Sequence, residues 1–256
     1  RASRDAASRH CASSTATENV NAAGSSPTTP IFEIVNPAPG NGTDIGVSRD
    51  VGTSVALSGN LLAVGAPYDD PGGTSDAGTV YVYDLGSATP TTPKFKINNP
   101  QAGEGDFFGF SVAISSEFLV VGAPSSDAVD ADAGAVYAFN LRAADPNTTV
   151  FSLDSTVGGA GDNFGFSVAI AGFMAIVGSP GEDTGPDDSG RAYLFNLWST
   201  TRSTATKVYA DPTPGVSELF GMAVSISGSN LEKYERPEPP TRDNLVASYV
   251  AIGTPF

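Results

Sequence analysis

The sequence predicts an all-β fold, a β-propeller of four-stranded antiparallel blades, on three observations. The first is a repeat: Phe108-Gly109-Phe110-Ser111-Val112-Ala113-Ile114, then Gly122-Ala123-Pro124 thirteen residues after the first glycine. Three further copies run Val51-Gly52 with Gly65 and Pro67, Phe164-Gly165 with Gly178 and Pro180, and Phe220-Gly221 with Gly253 and Pro255. Their first glycines are 57, 56 and 56 residues apart, and a fixed period of this size means stacked supersecondary units. The second observation is that each repeat holds four short apolar or alternating runs parted by turn residues. The third is the third run of each repeat. Val136 and Ala138 alternate with Tyr137 and Phe139, so both faces are apolar and both need covering. No helical period supplies a cover, so neighbouring sheets must. Sheets of about 50 residues stacked around an axis make a propeller.

Taken in order, residues 1–30 are rich in Ala, Ser and Thr and read as a disordered leader or linker. Residues 31–256 read as the propeller. Ile31–Val35 before Asn36-Pro37 echoes Lys94–Asn98 before Asn99-Pro100, which predicts an outer strand at 31–35. Blades follow at about 47–98, 107–153 and 163–210, with a partial blade at 219–256. In the second repeat the predicted strands are Phe110–Ile114, Phe118–Gly122, Ala135–Asn140 and Val150–Leu153. The fourth repeat carries 19 extra residues between its glycines, around Glu232–Asn244, with Pro237, Pro239 and Pro240; an exposed loop is expected there. Closed propellers use roughly four to eight blades. The expectation is a part of a larger ring, with residues 31–35 completing its last blade and the remaining blades coming from the same chain.

Composition narrows the function classes. There are 28 acidic against 13 basic residues, a net charge of −15. Such a surface repels nucleic-acid phosphates and anionic membranes. Cys11 and His10 are the single cysteine and histidine, both in the leader. The folded part therefore holds no Ser-His-Asp or Cys-His nucleophile system and no zinc site built on these ligands. No apolar run approaches the length of a membrane span. The motif glycines and prolines read as structural: Gly109 and Gly165 permit close backbone approach, and Pro124 and Pro180 end strands.

Phe-Gly-x-Ser-Val-Ala-Ile followed by Val-Gly-Ala-Pro resembles the FG-GAP repeat, the blade unit of the integrin alpha-subunit propeller, over residues 31–256. The resemblance implies an exported ring, secreted or at the cell surface, used for adhesion or binding of a protein or glycan ligand. It also implies calcium loops of the form Asp-x-Asp-x-Asp-Gly between the two motifs. This chain has Leu57-Ser58-Gly59-Asn60, Ser115-Ser116-Glu117 and Ala171-Gly172 there, turns too poor in oxygen ligands for a hard cation. It is similar to the short-hairpin version of the repeat.

Meander geometry puts the second-to-third and fourth-to-first loops on one face. The former carry Asp69, Asp70 and Asp76, then Asp127, Asp130 and Asp132, then Glu182, Asp183, Asp187 and Asp188. The latter add Asp44, Asp50, Glu104, Asp106, Asp162 and Glu218, bringing sixteen of the 28 acids to one rim. The opposite face has Arg142, Arg202 and Lys207. Three readings of the rim stand: a solvated face that favours solubility, cation binding with Asp127, Asp130 and Asp132 as calcium ligands, or recognition of a protein or glycan. A glycoside hydrolase with paired carboxylates is the enzymatic alternative; the acids recur with the repeat and single out no blade, so a non-enzymatic module is expected. Two sequons, Asn41-Gly42-Thr43 and Asn147-Thr148-Thr149, fall in predicted loops.

Overall fold

The computed structural model describes residues 33–35, 37, 52–153, 158–183, 187–228 and 249–254. The first blade is β1 (Ser54–Ser58), β2 (Leu61–Ala66), β3 (Thr79–Asp84) and β4 (Phe95–Asn98). The second is β5 (Ser111–Ile114), β6 (Phe118–Ala123), β7 (Ala135–Asn140) and β8 (Val150–Leu153). The third is β9 (Ser167–Ala171), β10 (Met174–Ser179), β11 (Arg191–Asn196) and β12 (Lys207–Ala210). A fourth sheet holds β13 (Ala223–Ser227) and β14 (Tyr249–Gly253). Each sheet is an antiparallel meander in sequence order, and the only helical pieces among the described residues are two 3-10 turns, Pro71–Gly73 and Pro146–Thr149. The fold is all-β and its blades are those of a β-propeller; no closed ring is seen among the described residues.

The predicted strands of the second repeat agree with β5 to β8 to within one residue at each end. Residues 33–35 lie outside any strand, yet Ile34 packs on the first blade against Leu62, Val64, Tyr81 and Tyr83. One seam further on, Ile97 of β4 packs on the second blade beside Leu119, Val121, Tyr137 and Phe139. The two isoleucines occupy corresponding places. Ile31, Val51, Pro255 and the insert around Glu232–Asn244 lie outside the described residues.

Blades pack face to face, and side-chain size follows distance from the axis. The third strands carry the aromatics: Tyr137 and Phe139 meet Phe108 at ring-centroid distances of 6.0 Å. Phe164 meets Tyr193 at 5.5 Å and Phe195 at 6.3 Å. The phenylalanine of each Phe-Gly pair is thus a wedge between its own blade and the one before: Phe108 sits with Val80, Val82 and Ile97 of the first blade. The inner strands β1, β5, β9 and β13 stand side by side near the axis, where sheets converge and little volume is left.

That crowding explains the motif residues. The N–H of Gly109 donates to the carbonyl of Gly122 within its blade (3.0 Å), and Gly165 does the same with Gly178 (3.0 Å). The carbonyls of these same glycines accept from the preceding blade: Ser54 Oγ to Gly109 O (2.7 Å), Ser111 Oγ to Gly165 O (2.7 Å), Ser167 Oγ to Gly221 O (2.8 Å). A Cβ on Gly122 would lie 2.1 Å from Gly165 O, and one on Gly178 would lie 1.9 Å from Gly221 O. Gly109 and Gly165 have φ of +93°, the left-handed side that glycine adopts without steric cost. Pro67, Pro124 and Pro180 follow directly on the last residues of β2, β6 and β10.

Gly122→Ala is expected to destabilise by about 3 kcal/mol or more, since the new methyl meets backbone that cannot step aside. Ser111→Ala, which loses one hydrogen bond, is expected to cost about 1 kcal/mol. Urea unfolding of the two variants reads both; equal costs would remove the steric reading of the seam.

Candidate functional site: the loop rim

The two loop sets meet at one end of the blades. Their backbones bond to each other across every seam. Phe107 N–H donates to Asp76 O (3.0 Å), Asn163 to Asp132 O (3.1 Å) and Leu219 to Asp188 O (3.0 Å). One residue on, Phe108, Phe164 and Phe220 donate to Ala77, Ala133 and Ser189 carbonyls at 3.2, 3.0 and 3.1 Å. Asp76, Asp132 and Asp188 take φ of 51° to 53°, a left-handed conformation that aspartate tolerates better than most residues. Sixteen acids on one rim were expected; Asp44 and Asp50 lie outside the described residues, and the others are here.

Many of these carboxylates hold loops together. Asp70, Asp127 and Asp183 each accept a backbone N–H through Oδ1, from Asp76, Asp132 and Asp188 respectively, all at 2.8 Å. Asp106, Asp162 and Glu218 close the approach to each next blade, accepting from Gly103 (2.7 Å), Gly159 (2.7 Å) and Gly215 (2.8 Å). Asp130 Oδ1 accepts from Ala131 N–H at 2.8 Å. Their recurrence has a local cause: each turn leaves amide donors that a carboxylate one to six residues away satisfies.

A second motif was not read from the sequence. At the base of the rim, Tyr81 donates to Asp69 Oδ2 (2.6 Å) and Tyr193 to Glu182 Oε1 (2.7 Å), while Arg191 Nη1 lies 3.0 Å from the same Glu182 oxygen. In the second blade Ser126 stands at the acid's place, and Tyr137 faces Gln101 Oε1 at 3.4 Å. The signal was present as a tyrosine two residues into each third strand, but it read simply as core. Burial raises the Asp69, Asp162 and Glu182 carboxyls above the ordinary carboxylate range, against the pull of Tyr81, the Gly159 N–H and Tyr193 respectively. Burial, then Asp106, pushes Tyr137 up to about 12.

Asp127, Asp130 and Asp132 are not gathered into a ligand set. No group of three or more His, Cys, Asp or Glu side chains among the described residues converges as a cation cage would require. The reason is in the loop: Asp127 and Asp130 each turn one oxygen onto backbone amides, whereas a hard cation needs six or more oxygens around one point. Exposure divides the rim. Asp69, Asp70 and Asp76 of the first blade are half-buried, Glu182 is buried, and Asp127, Asp130, Asp132, Asp183, Asp187 and Asp188 are exposed. At the opposite end Arg142 lies 3.5 Å from Glu117, Arg202 sits over the Phe151 ring and Lys207 over Tyr209.

The FG-GAP repeat family matches at residues 44–83, 95–139 and 152–195, together half of the chain. The chain belongs to the FG-GAP repeat family. The fourth copy lies outside those matches, yet Gly221 accepts the Ser167 hydroxyl as Gly109 and Gly165 accept theirs. No curated protein matches this FG-GAP chain. Among solved structures it is similar to the computationally designed Ika4 protein, with 14% identity and a TM-score of 0.38 over 83% of this chain and 96% of that one.

Asp127→Ala is expected to lower stability by about 1 kcal/mol, while Asp127→Asn, which keeps an acceptor for the Asp132 N–H, stays near wild type. Asp69 gives a pH test. Its folded pKa lies above the unfolded value of 3.8, so the charged form penalises the fold. The stability it contributes is present at low pH and is lost as pH rises from the unfolded value through the raised folded one. Asp69→Asn should therefore gain most relative to wild type near neutral pH, and the gain should shrink towards about pH 4. Thermal melts across that range decide it; a pH-independent difference would contradict the assignment.

Proposed function

We propose that this chain is a non-enzymatic binding or scaffold module of an exported or cell-surface protein, with its ligand contacts on the acidic rim. Membership in the FG-GAP family supports a repeat domain of the binding type. No helix among the described residues is long and apolar enough to cross a membrane. The observation that carries the reading is the division of the rim by exposure. Once the loop-holding oxygens are accounted for, the second and third blades still present Asp127, Asp130, Asp132, Asp183, Asp187 and Asp188 to solvent. These loops are tied to their neighbours by backbone bonds, so the charges are held in place before any partner arrives, which lowers the ordering cost of binding.

The complement of such a surface is a protein or glycan presenting cationic groups. Val129, 72% exposed among those acids, adds an apolar contact of the kind that sits inside a polar interface. The paired-carboxylate alternative draws less support. Of the three rim acids whose carboxyls are raised, Asp69 is half-buried and bonded to Tyr81, and the other two are enclosed: Glu182 is 1% exposed and engaged by Tyr193 and Arg191, and Asp162 is 4% exposed. A substrate's glycosidic oxygen has no access to either. The test is surface capture of basic proteins and of amino-sugar glycans by wild type and by a variant with Asp130, Asp132, Asp187 and Asp188 changed to Asn. The expected result is loss of at least tenfold in affinity with an unchanged melting point, and wild-type binding that weakens as salt rises. Unaltered binding would reduce the rim to a solubility device.

A further inference from the structure

The end of the blades opposite the rim carries a motif that the binding reading leaves unused. The third-to-fourth strand loops emerge there, and three lie among the described residues, 85–94, 141–149 and 197–206. All three carry serine or threonine, and Asp145 is their one acid. The middle loop alone holds an asparagine: Asn147, followed by Thr148 and Thr149. This is Asn-x-Thr with x other than proline, the acceptor pattern for N-linked sugar.

The fold places Asn147 as an acceptor must be placed. It lies in the 3-10 turn Pro146–Thr149 between β7 and β8. Pro146 is buried, whereas Asn147 and Thr148 are exposed. Asp145 organises the turn: its Oδ1 accepts the Asn147 N–H at 3.0 Å, and its carbonyl accepts the Thr148 N–H (3.2 Å) and hydroxyl (2.8 Å). The side-chain nitrogen of Asn147 donates to Asp145 Oδ1 at 3.0 Å and, across the seam to β4, to Lys96 O at 3.3 Å. Asp145 and Lys96 are exposed as well. An asparagine amide has two hydrogens; replacing one leaves the other for either acceptor, and the acceptor that loses its donor is open to water.

We propose that Asn147 is a site of N-linked glycosylation, a modification that rests on the reading of the chain as exported. The donor is an oligosaccharide linked to a polyprenyl diphosphate. Asn147 Nδ2 forms a bond to the anomeric carbon of the first sugar, and the bond from that carbon to the diphosphate oxygen breaks. The polyprenyl diphosphate leaves, and Nδ2 gives up a proton. The product is bulky and hydrated, and it belongs on a surface. Here it stands at the end that holds Arg142, away from the exposed carboxylates of the rim, so it covers one end of the blades and leaves the acidic end open to a partner.

The full chain, secreted by a eukaryotic cell behind an added secretory leader and carrying Asn41→Gln to silence the other sequon, tests this. Enzymatic release of N-glycans in heavy-oxygen water followed by peptide mapping is expected to label position 147. Thr149→Ala should lose the glycan and Thr149→Ser keep it. Both variants retain Asn147, so a merely structural role for that residue would not follow this pair. Ser87→Asn builds an Asn-Ala-Thr acceptor in the corresponding exposed loop of the first blade and serves as the control. A bare Asn147 beside an occupied control overturns the proposal and leaves the export reading standing. An Asn147 that is occupied in the secreted chain but bare in protein from the natural source overturns the export reading, and with it the modification of the natural protein.

Discussion

Everything in this fold depends on how closely one inner strand can approach the next. The Ser Oγ to Gly carbonyl bond at 2.7 to 2.8 Å sets that approach at three successive seams. It is possible only because the opposing position is a glycine, with space for a backbone carbonyl where any Cβ would stand. The N–H of the carbonyl-bearing glycine, Gly109 or Gly165, is already committed within its own blade. One residue therefore joins the hydrogen-bond ladder of its blade to the blade before it. Near the axis the sheets are closest and side chains must be small; further out they diverge, and Phe108 and Phe164 fill the widening gap against tyrosine and phenylalanine.

The rim follows from the same geometry. Once the inner strands are set, the loop leaving one blade lies against the loop entering the next, and their backbones pair. Tight loops of this kind strand amide donors, and aspartate is the shortest carboxylate that reaches them. Much of the acidic character of the rim is therefore structural in origin. A functional surface is built from what is left over, the outward carboxylates of the second and third blades. The acids with raised carboxyls are a separate population. Asp69, Asp162 and Glu182 are held protonation-prone by loss of water, and tyrosine hydroxyls or backbone amides share their charge.

The difference between blades is as informative as their likeness. Asp69, Ser126 and Glu182 occupy one repeat position, and Thr79, Ala135 and Arg191 occupy another. In the third blade the pair becomes Glu182 with Arg191, so a larger acid is matched by a cation where the first blade uses a shorter acid alone. Tyr83 stands where Phe139 and Phe195 stand, and its buried hydroxyl has no hydrogen-bond partner among the described residues. These departures fall at seams and loop bases. The inner-strand pattern hardly varies, except at Ala223.

The period, the strand positions and the all-β class were determined by the sequence alone, because glycines at a 56- or 57-residue step and two-sided apolar runs such as Ala135–Asn140 admit few other solutions. Meander topology also placed the acids on one end, since alternating strand direction leaves no choice of side. The tertiary structure decided what those acids do. Whether Asp127 faces solvent, a cation or the amide of Asp132 turns on a left-handed backbone five residues away, which no local pattern specifies. It also decided the role of the serines. Ser54, Ser111 and Ser167 read as ordinary strand residues until the next blade, some 55 residues on, brings its glycine carbonyl within reach; contacts that long in sequence exist only once the blades are stacked.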